Sequence, residues 1–473
     1  MLIVKLFNWL CWAILLLAIS VTCGGVRFCS AGILHQENSK FLPVIVYCTR
    51  NSCLLIMKRI IMKRRYTYCQ SQEGSVYPFF ACIIWVFISF AVQAGTWIEI
   101  PGTHMREVCP SESVSPSTRD CAAVIESWSG GAFDSAGNRM FLMGGGHNGY
   151  YGNEVYEFDL DTEEWARLTD STTPAADADT VCYSTWDGGL TPTARHTYNH
   201  LAWVNHLNEL FLFGGVTSCR NGGNLQDSWT FDPNSGRWDR RKRTSPVGDN
   251  FVQVIYEPAS QKIYAKKNSG AEKALYSFDF SMNMWIKEVS GIDLDMLYRT
   301  GTLDTRRHQI WFVGDGAVNT LLLHPPFTLE SIATMGGDAI INAGSPGVAY
   351  DPLRDKIVAW CGASSLCGST QANEVYILDP VTLTWTVDMP AGDGPSRNNG
   401  SAGTFGRWRY SPKSDVFIAI NSVDRNVWLY RPDPLPLSDE EQELEDPRPS
   451  KSRNFRDRFL RSGEMIFPFN SSR

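Results

Sequence analysis

The sequence predicts an all-β chain folded as a six-bladed β-propeller and closed by a strand from its N-terminal side. Three observations predict it. A thirteen-letter frame recurs along the chain, everything between its copies reads as short strands, and the final copy is incomplete while an orphan strand precedes the first. Self-similarity at a period of about 50 residues is the mark of propeller blades.

The frame is plainest in "NEVYEFDLDTEEW" (153–165) and "NEVYILDPVTLTW" (373–385), with an aromatic at the fourth letter, Asp at the seventh and Trp at the thirteenth. "QDSWTFDPNSGRW" (226–238) and "KALYSFDFSMNMW" (273–285) keep all three marks. "VNTLLLHPPFTLE" (318–330) puts His324 and Glu330 where Asp and Trp are expected, and "RNVWLYRPD" (425–433) keeps Trp428 and then runs into prolines. The fourth letters are Tyr156, Trp229, Tyr276, Leu321, Tyr376 and Trp428, spaced by 73, 47, 45, 55 and 52 residues.

Before each frame stand two apolar runs, such as "VQVIYEPASQ" and "KIYAKKNSG", of strand length and bounded by Asp, Pro, Gly and Asn. Sustained helical periodicity is missing, so each unit reads as strands a, b, c and d, with the frame's Asp making the c–d turn. Gly-Gly after strand b predicts room for neighbouring Tyr and Trp rings against bare backbone. "TWIEIP" (96–101) carries Trp97, which matches the Trp ending other d strands. It is therefore expected to complete the sixth blade and close the ring.

Gly-Gly, then an aromatic and Asp, then Trp, at this spacing, resembles the kelch repeat across about residues 97–433. The resemblance implies a propeller of the galactose-oxidase type in an exported protein, and it implies neither binding nor catalysis.

Residues 1–94 read as a leader. "FFACIIWVFISFAV" (79–92) is an uncharged run after the basic "MKRIIMKRRYTY", with small residues ahead of Gly95. That pattern describes a secretory signal cleaved after Ala94; the alternative is an uncleaved membrane anchor over 79–94. Residues 1–56 lend nothing to the fold, and Met57 or Met62 is an alternative start. Nine of the 43 Lys/Arg and two of the 50 Asp/Glu lie in 1–94, which leaves 34 and 48 and a net charge of about −14. Nucleic acid is excluded as a partner on that balance.

Seven of the 13 Cys also lie in the leader. The remaining six fall in neighbouring pairs, Cys109/Cys121, Cys182/Cys219 and Cys361/Cys367. In a secreted or periplasmic chain these read as disulfide candidates, with free buried thiols as the alternative. Residues 434–473 hold an acidic run and then a basic run, and are expected to be a solvated, disordered tail.

Up-and-down strand order gathers the b–c and d–a loops on one face, and the long loops all belong to it: "GGGHNGYYGN" (144–153), residues 169–198, "VTSCRNGGNLQ" (216–226), "CGASSLCGSTQAN" (361–373) and "AGDGPSRNNGSAG" (391–403). Long loops on one face of a rigid scaffold are where sites are built, and the channel is expected to open there. The candidate catalytic residues are His147, Tyr183, Arg195 and His196. The candidate binding residues are Asn148, Tyr150, Tyr151, Arg299, Arg397 and Asn398, with Tyr298 and Asn399 beside them. Rings stack on the apolar face of a sugar, amides bind hydroxyls, and Arg pairs with a carboxylate, so the expected ligand is an acidic carbohydrate.

Some propeller polysaccharide lyases use His and Tyr for proton transfer at a uronate while Arg neutralises its carboxylate, and the residue types match. A sialic-acid mutarotase and a galactose oxidase are further resemblances, the latter weakened by the short chain after blade six. The competing class is a protein-binding scaffold without chemistry. Zinc-type Cys/His spacing, a Ser nucleophile motif and a phosphate loop are missing, so no cofactor and no metal are expected.

Overall fold

The computed structural model describes residues 44–49, 52–57, 95–112, 114–147, 149–241, 252–266, 273–363, 365–398 and 403–432. Asn148, Asn399, the expected signal at 79–94 and the expected tail at 434–473 lie outside the described residues. The chain divides into two compact units, Met1–Gln93 and Ala94–Arg473. In the first, Val44–Thr49 and Ser52–Met57 pair as an antiparallel hairpin.

The second unit is a six-bladed β-propeller of six four-stranded antiparallel sheets. Blade one is Gly131–Asp134, Arg139–Leu142, Tyr156–Asp159 and Glu164–Arg167; blade two is Leu201–Val204, Glu209–Phe213, Ser228–Asp232 and Arg237–Arg240. Blade three is Gln253–Glu257, Lys262–Lys266, Ala274–Asp279 and Met284–Ser290; blade four is Thr300–Asp304, Gln309–Gly314, Ala317–Leu322 and Leu329–Ser331. Blade five is Gly347–Asp351, Lys356–Trp360, Val375–Asp379 and Thr384–Asp388. Blade six is Trp408–Ser411, Val416–Ala419 and Val427–Arg431, and its fourth strand is Thr96–Ile100.

That closing strand runs antiparallel to Val427–Arg431 from Thr96↔Arg431 to Ile100↔Val427. Trp97 is 4% exposed, sits against Trp360, Trp408, Trp428 and Tyr430, and donates its indole N–H to the Asn373 carbonyl at 3.0 Å. The strand also reaches blade five, where Trp97 N–H donates to Ala391 O at 2.8 Å and Gly95 N–H to Asp388 Oδ2 at 2.8 Å. Burying a large ring where two ends of the chain meet is what closure of the ring requires.

The frame's Asp does what its short side chain suits. Asp159, Asp232, Asp279 and Asp379 each accept the backbone N–H two residues on, at 2.8–2.9 Å, and so build the c–d turns. The Trp stands opposite the residue before that Asp, as in Phe158↔Trp165, Phe231↔Trp238, Phe278↔Trp285 and Leu378↔Trp385.

Blade four departs from its expected frame. Ile310 pairs with Leu321, as Ile263 pairs with Phe278 in blade three, and Leu329 stands opposite Leu321 in the place of the Trp. Along strand c the frame therefore runs two residues earlier than expected, with Asn319 in the aromatic position and Leu322 in that of the Asp. Without Asp or Trp, an apolar run such as "VNTLLLH" has nothing to mark its register.

The channel also departs from expectation. Five residues before the second-last position of strand a, Trp128, Tyr198, Tyr298, Ser345 and Phe405 all have left-handed backbone, with φ of 47°, 39°, 61°, 47° and 49°. The equivalent of blade three, Phe251, lies outside the described residues. Tyr198 N–H donates to Trp128 O at 2.7 Å and Ser345 N–H to Tyr298 O at 2.6 Å, which links neighbouring blades around the channel. Tyr198 of blade two meets Phe405 of blade six edge-on at 5.8 Å, and Asn199 Nδ2 reaches Arg299 O of blade four at 3.3 Å. These contacts span the loop-face end of the channel. A cavity of about 290 Å³ opens instead at the other end, where the a–b turns begin.

Candidate functional site

Three disulfides hold the loops: Cys109–Cys121, Cys182–Cys219 and Cys361–Cys367. The second ties the d–a loop leaving blade one to the b–c loop of blade two. Between these loops, Arg195–His196 forms a two-residue ribbon with Val216–Thr217. The sequence "ARHTY" reads as the entry to strand a of blade two. The strand begins at Leu201 instead, because the b–c loop folds back over the segment that precedes it.

Glycines allow this fold-back. A Cβ at Gly146, whose φ is +87°, would stand 2.4 Å from His196 N, and one at Gly222, at +60°, would stand 2.7 Å from His147 Nδ1. Bare backbone admits the chain at Gly146 and an imidazole at Gly222, while the rings expected against the glycines after strand b lie beside Gly145, as Tyr150, and beside Gly362, as Trp360.

Two of the four candidate catalytic side chains come together. The His147 and His196 rings stand edge to face at 5.8 Å. His196 is 3% exposed, tilted against Trp128 at 5.1 Å, and its Nδ1 lies 3.3 Å from the Tyr198 hydroxyl. His147 Nδ1 and His196 Nε2 are buried and have no hydrogen-bond partner among the described residues. Burial pushes the His196 imidazole down to about 3; the neighbouring His147 ring and Arg119 add to that, and the His147 backbone beside the imidazole partly opposes it. His196 is therefore neutral across ordinary pH, with one nitrogen free to accept a proton or a hydrogen bond.

Arg195 is placed differently. Its guanidinium is fully buried and donates to Asp227 Oδ1 at 2.7 Å, Gly214 O at 2.9 Å, Thr193 O at 2.9 Å and Ser184 O at 3.0 Å. This arginine ties one loop to the next and presents no free edge to a ligand. Tyr183 lies tilted against Trp186 at 5.6 Å, and its hydroxyl donates to Asp177 Oδ1 at 2.9 Å, which holds its proton more firmly than usual.

The binding candidates are dispersed. Tyr150 is buried and donates to Glu154 Oε1 at 2.6 Å, so burial and that carboxylate push its hydroxyl well above the ordinary range. Tyr151 is buried against Asp179, at 3.3 Å, and is pushed up to about 12, chiefly by burial. Arg299 donates to Asp295 O and, at 3.1 Å, to Asp315 O beside blade four. Tyr298 is 39% exposed at the same corner. Arg397 donates to the Thr370 carbonyl and, at 2.9 Å, to its hydroxyl. Asn398 bridges to Ala363, and both polar atoms of its buried amide lack partners among the described residues. The three arginines thus belong to three separate corners and form no cluster.

A cation near the histidine pair comes from a residue that sequence reasoning missed. Arg119, which pairs with Glu126 at 2.5 Å and Ser127 Oγ at 2.9 Å, is close enough to His196 to oppose its protonation. Arg220 is 68% exposed and pairs with Asp179 at 2.5 Å, next to Cys219 and Gly222. Nothing in the irregular stretch around Arg119 marks it. Trp128 and Tyr198 were legible as residues at matched distances before strand a.

No family model and no curated protein matches this chain. Among solved structures, that of YjhT is similar in fold, at 12% identity and a TM-score of 0.43, covering 67% of this chain and 95% of that one.

Proposed function

We propose that the loop face between blades one and two of this exported, kelch-type propeller binds an acidic carbohydrate at His147 and His196. The observation that carries this reading is the pair of adjacent imidazoles whose buried nitrogens, His147 Nδ1 and His196 Nε2, have no partner among the described residues. Buried polar groups are normally satisfied, so two such nitrogens on adjoining rings suit hydroxyls of a ligand. Arg119, whose charge reaches His196, and Arg220, on the same loop as Gly222, would take up a carboxylate by exchanging it for their present partners Glu126 and Asp179, the role first assigned to Arg195.

Lyase chemistry is the catalytic extension of this reading: His147, rather than the weakly basic His196, takes the proton from the carbon beside the carboxylate, the C–H electron pair forms the double bond, and the glycosidic C–O bond breaks as its oxygen takes a proton from water. Three disulfides fit an oxidising compartment, and export with cleavage after Ala94 is part of the proposal. No helix among the described residues is long and apolar enough to cross a membrane.

The test is a screen of the secreted protein against polygalacturonate, alginate and hyaluronan, with neutral glucans as controls. Binding and the ultraviolet absorbance of unsaturated uronate are followed together. Binding lost in His147→Ala or in the Arg119→Gln/Arg220→Gln double variant supports the reading. Equal binding of acidic and neutral polymers overturns it. A second reading, a protein scaffold, draws on Met335, Val387 and Met389, exposed along the outer strand of blade five. A partner captured by that edge, with no glycan bound, would favour it.

A further inference from the structure

The cavity at the turn-face end of the channel is lined by strand a of all six blades. Its mouth is formed where the a–b turns start, at Ser135, Asn205, Pro258, Thr305, Pro352 and Pro412. One layer inside, sheet register places Ala132, Ala202, Ile255, Thr302, Ala349 and Arg409 at the same height. Three alanines in that layer leave space, and Arg409 is the one charged residue among those lining the cavity.

Arg409 stands apart from the other arginines at this end. Arg139 meets Asp134 and Glu157, Arg307 meets Asp304 and Asp355, and Arg354 meets Asp351 and Asp415. For Arg409, Nη2 donates to Gly131 O at 3.2 Å, and no carboxylate lies within ion-pair distance among the described residues. A guanidinium has five N–H donors in a planar fork, so most of this one is unused. Burial lowers it to about 10, still protonated at neutral pH, with no anion to offset the loss of water.

We propose that the channel cavity binds a small monocarboxylate with an apolar body, its carboxylate on the Arg409 guanidinium. One guanidinium matches one carboxylate in charge and geometry, whereas a phosphate dianion calls for more donors and more positive charge. Leu201, Trp203, Val254, Ile255 and Tyr256 in the lining suit an apolar body better than a sugar. The volume, about 290 Å³, admits a single ring. This site is independent of the histidine pair on the opposite face.

The probe is benzoate, measured by calorimetry and by hydrogen exchange on the disulfide-intact protein, against benzyl alcohol and inorganic phosphate. Benzoate is expected to bind, to slow exchange in strands a, and to leave residues 144–153 unchanged. Arg409→Gln is expected to weaken it about tenfold or more, with Arg409→Lys between the two. Benzyl alcohol or phosphate binding as tightly as benzoate would overturn the assignment, as would protection confined to the loop face. If Arg409→Gln does not fold, the three-ligand comparison on the unaltered protein decides alone.

Discussion

Replacing Trp97 with Ala tests the closure of the ring. The side chain is 4% exposed and packs on four rings within 6.5 Å, so its removal leaves a cavity at the junction of blades five and six. Truncating a buried aromatic ring costs about 3–5 kcal/mol. The Asn373 carbonyl also loses its indole donor, at 3.0 Å, worth about 1 kcal/mol within that range. In a unit this large each kcal/mol moves the midpoint by ~2 °C, so the expected drop is about 6–10 °C.

Trp385→Ala is the control. That residue occupies the same frame position in blade five, is 5% exposed and donates to Thr334 Oγ1 at 3.1 Å, but its strand continues directly from strand c. Both variants should lose similar stability in denaturant titrations followed by near-ultraviolet circular dichroism. Only Trp97→Ala should also expose the segment before blade one to limited proteolysis. A Trp97→Ala protein within about 1 kcal/mol of the parent, and equally resistant to protease, would refute closure by this strand.

Arg195→Ala should leave Asp227 buried and unpaired and cost about 3–5 kcal/mol, read by thermal unfolding; an unchanged midpoint would return Arg195 to the candidate ligand contacts. His196 is depressed to about 3 in the fold against ~6.5 unfolded, so the unfolded chain binds the proton first. Its contribution is present above ~6.5 and is lost as pH falls toward 3. Between pH 6.5 and 4.5 His196→Phe should remove up to about 2–3 kcal/mol of pH dependence from denaturant midpoints. Intact mass after alkylation should show Cys109, Cys121, Cys182, Cys219, Cys361 and Cys367 unlabelled until reductant is added. Opening Cys182–Cys219, with a sequence separation of 37, should cost about 3–4 kcal/mol and loosen the Arg195–His196 ribbon, seen as faster hydrogen exchange there.

Local chemistry made much of this protein readable from the chain. Asp at the seventh letter makes a turn with its own backbone, and Trp at the thirteenth falls opposite a fixed partner, so period, blade number and the role of Trp97 follow from spacing alone. Where those side chains are replaced, the register slips, by two at His324 and by one at Glu330, because alternating apolar residues look alike in either frame. The site was legible only in residue type. His147 and His196 are 49 positions apart in sequence, and glycines at 146 and 222 bring them into contact through long-range chain crossing. Arg195 looked the same as a ligand contact until its four partners were placed around it. Arg409, one of two basic letters in "GRWRYSP", gains its significance only because six strands surround it and none of them lines the cavity with a carboxylate. Charge and type belong to the residue; whether a group is satisfied, strained or left unpaired depends on what the rest of the chain brings within about 3 Å of it.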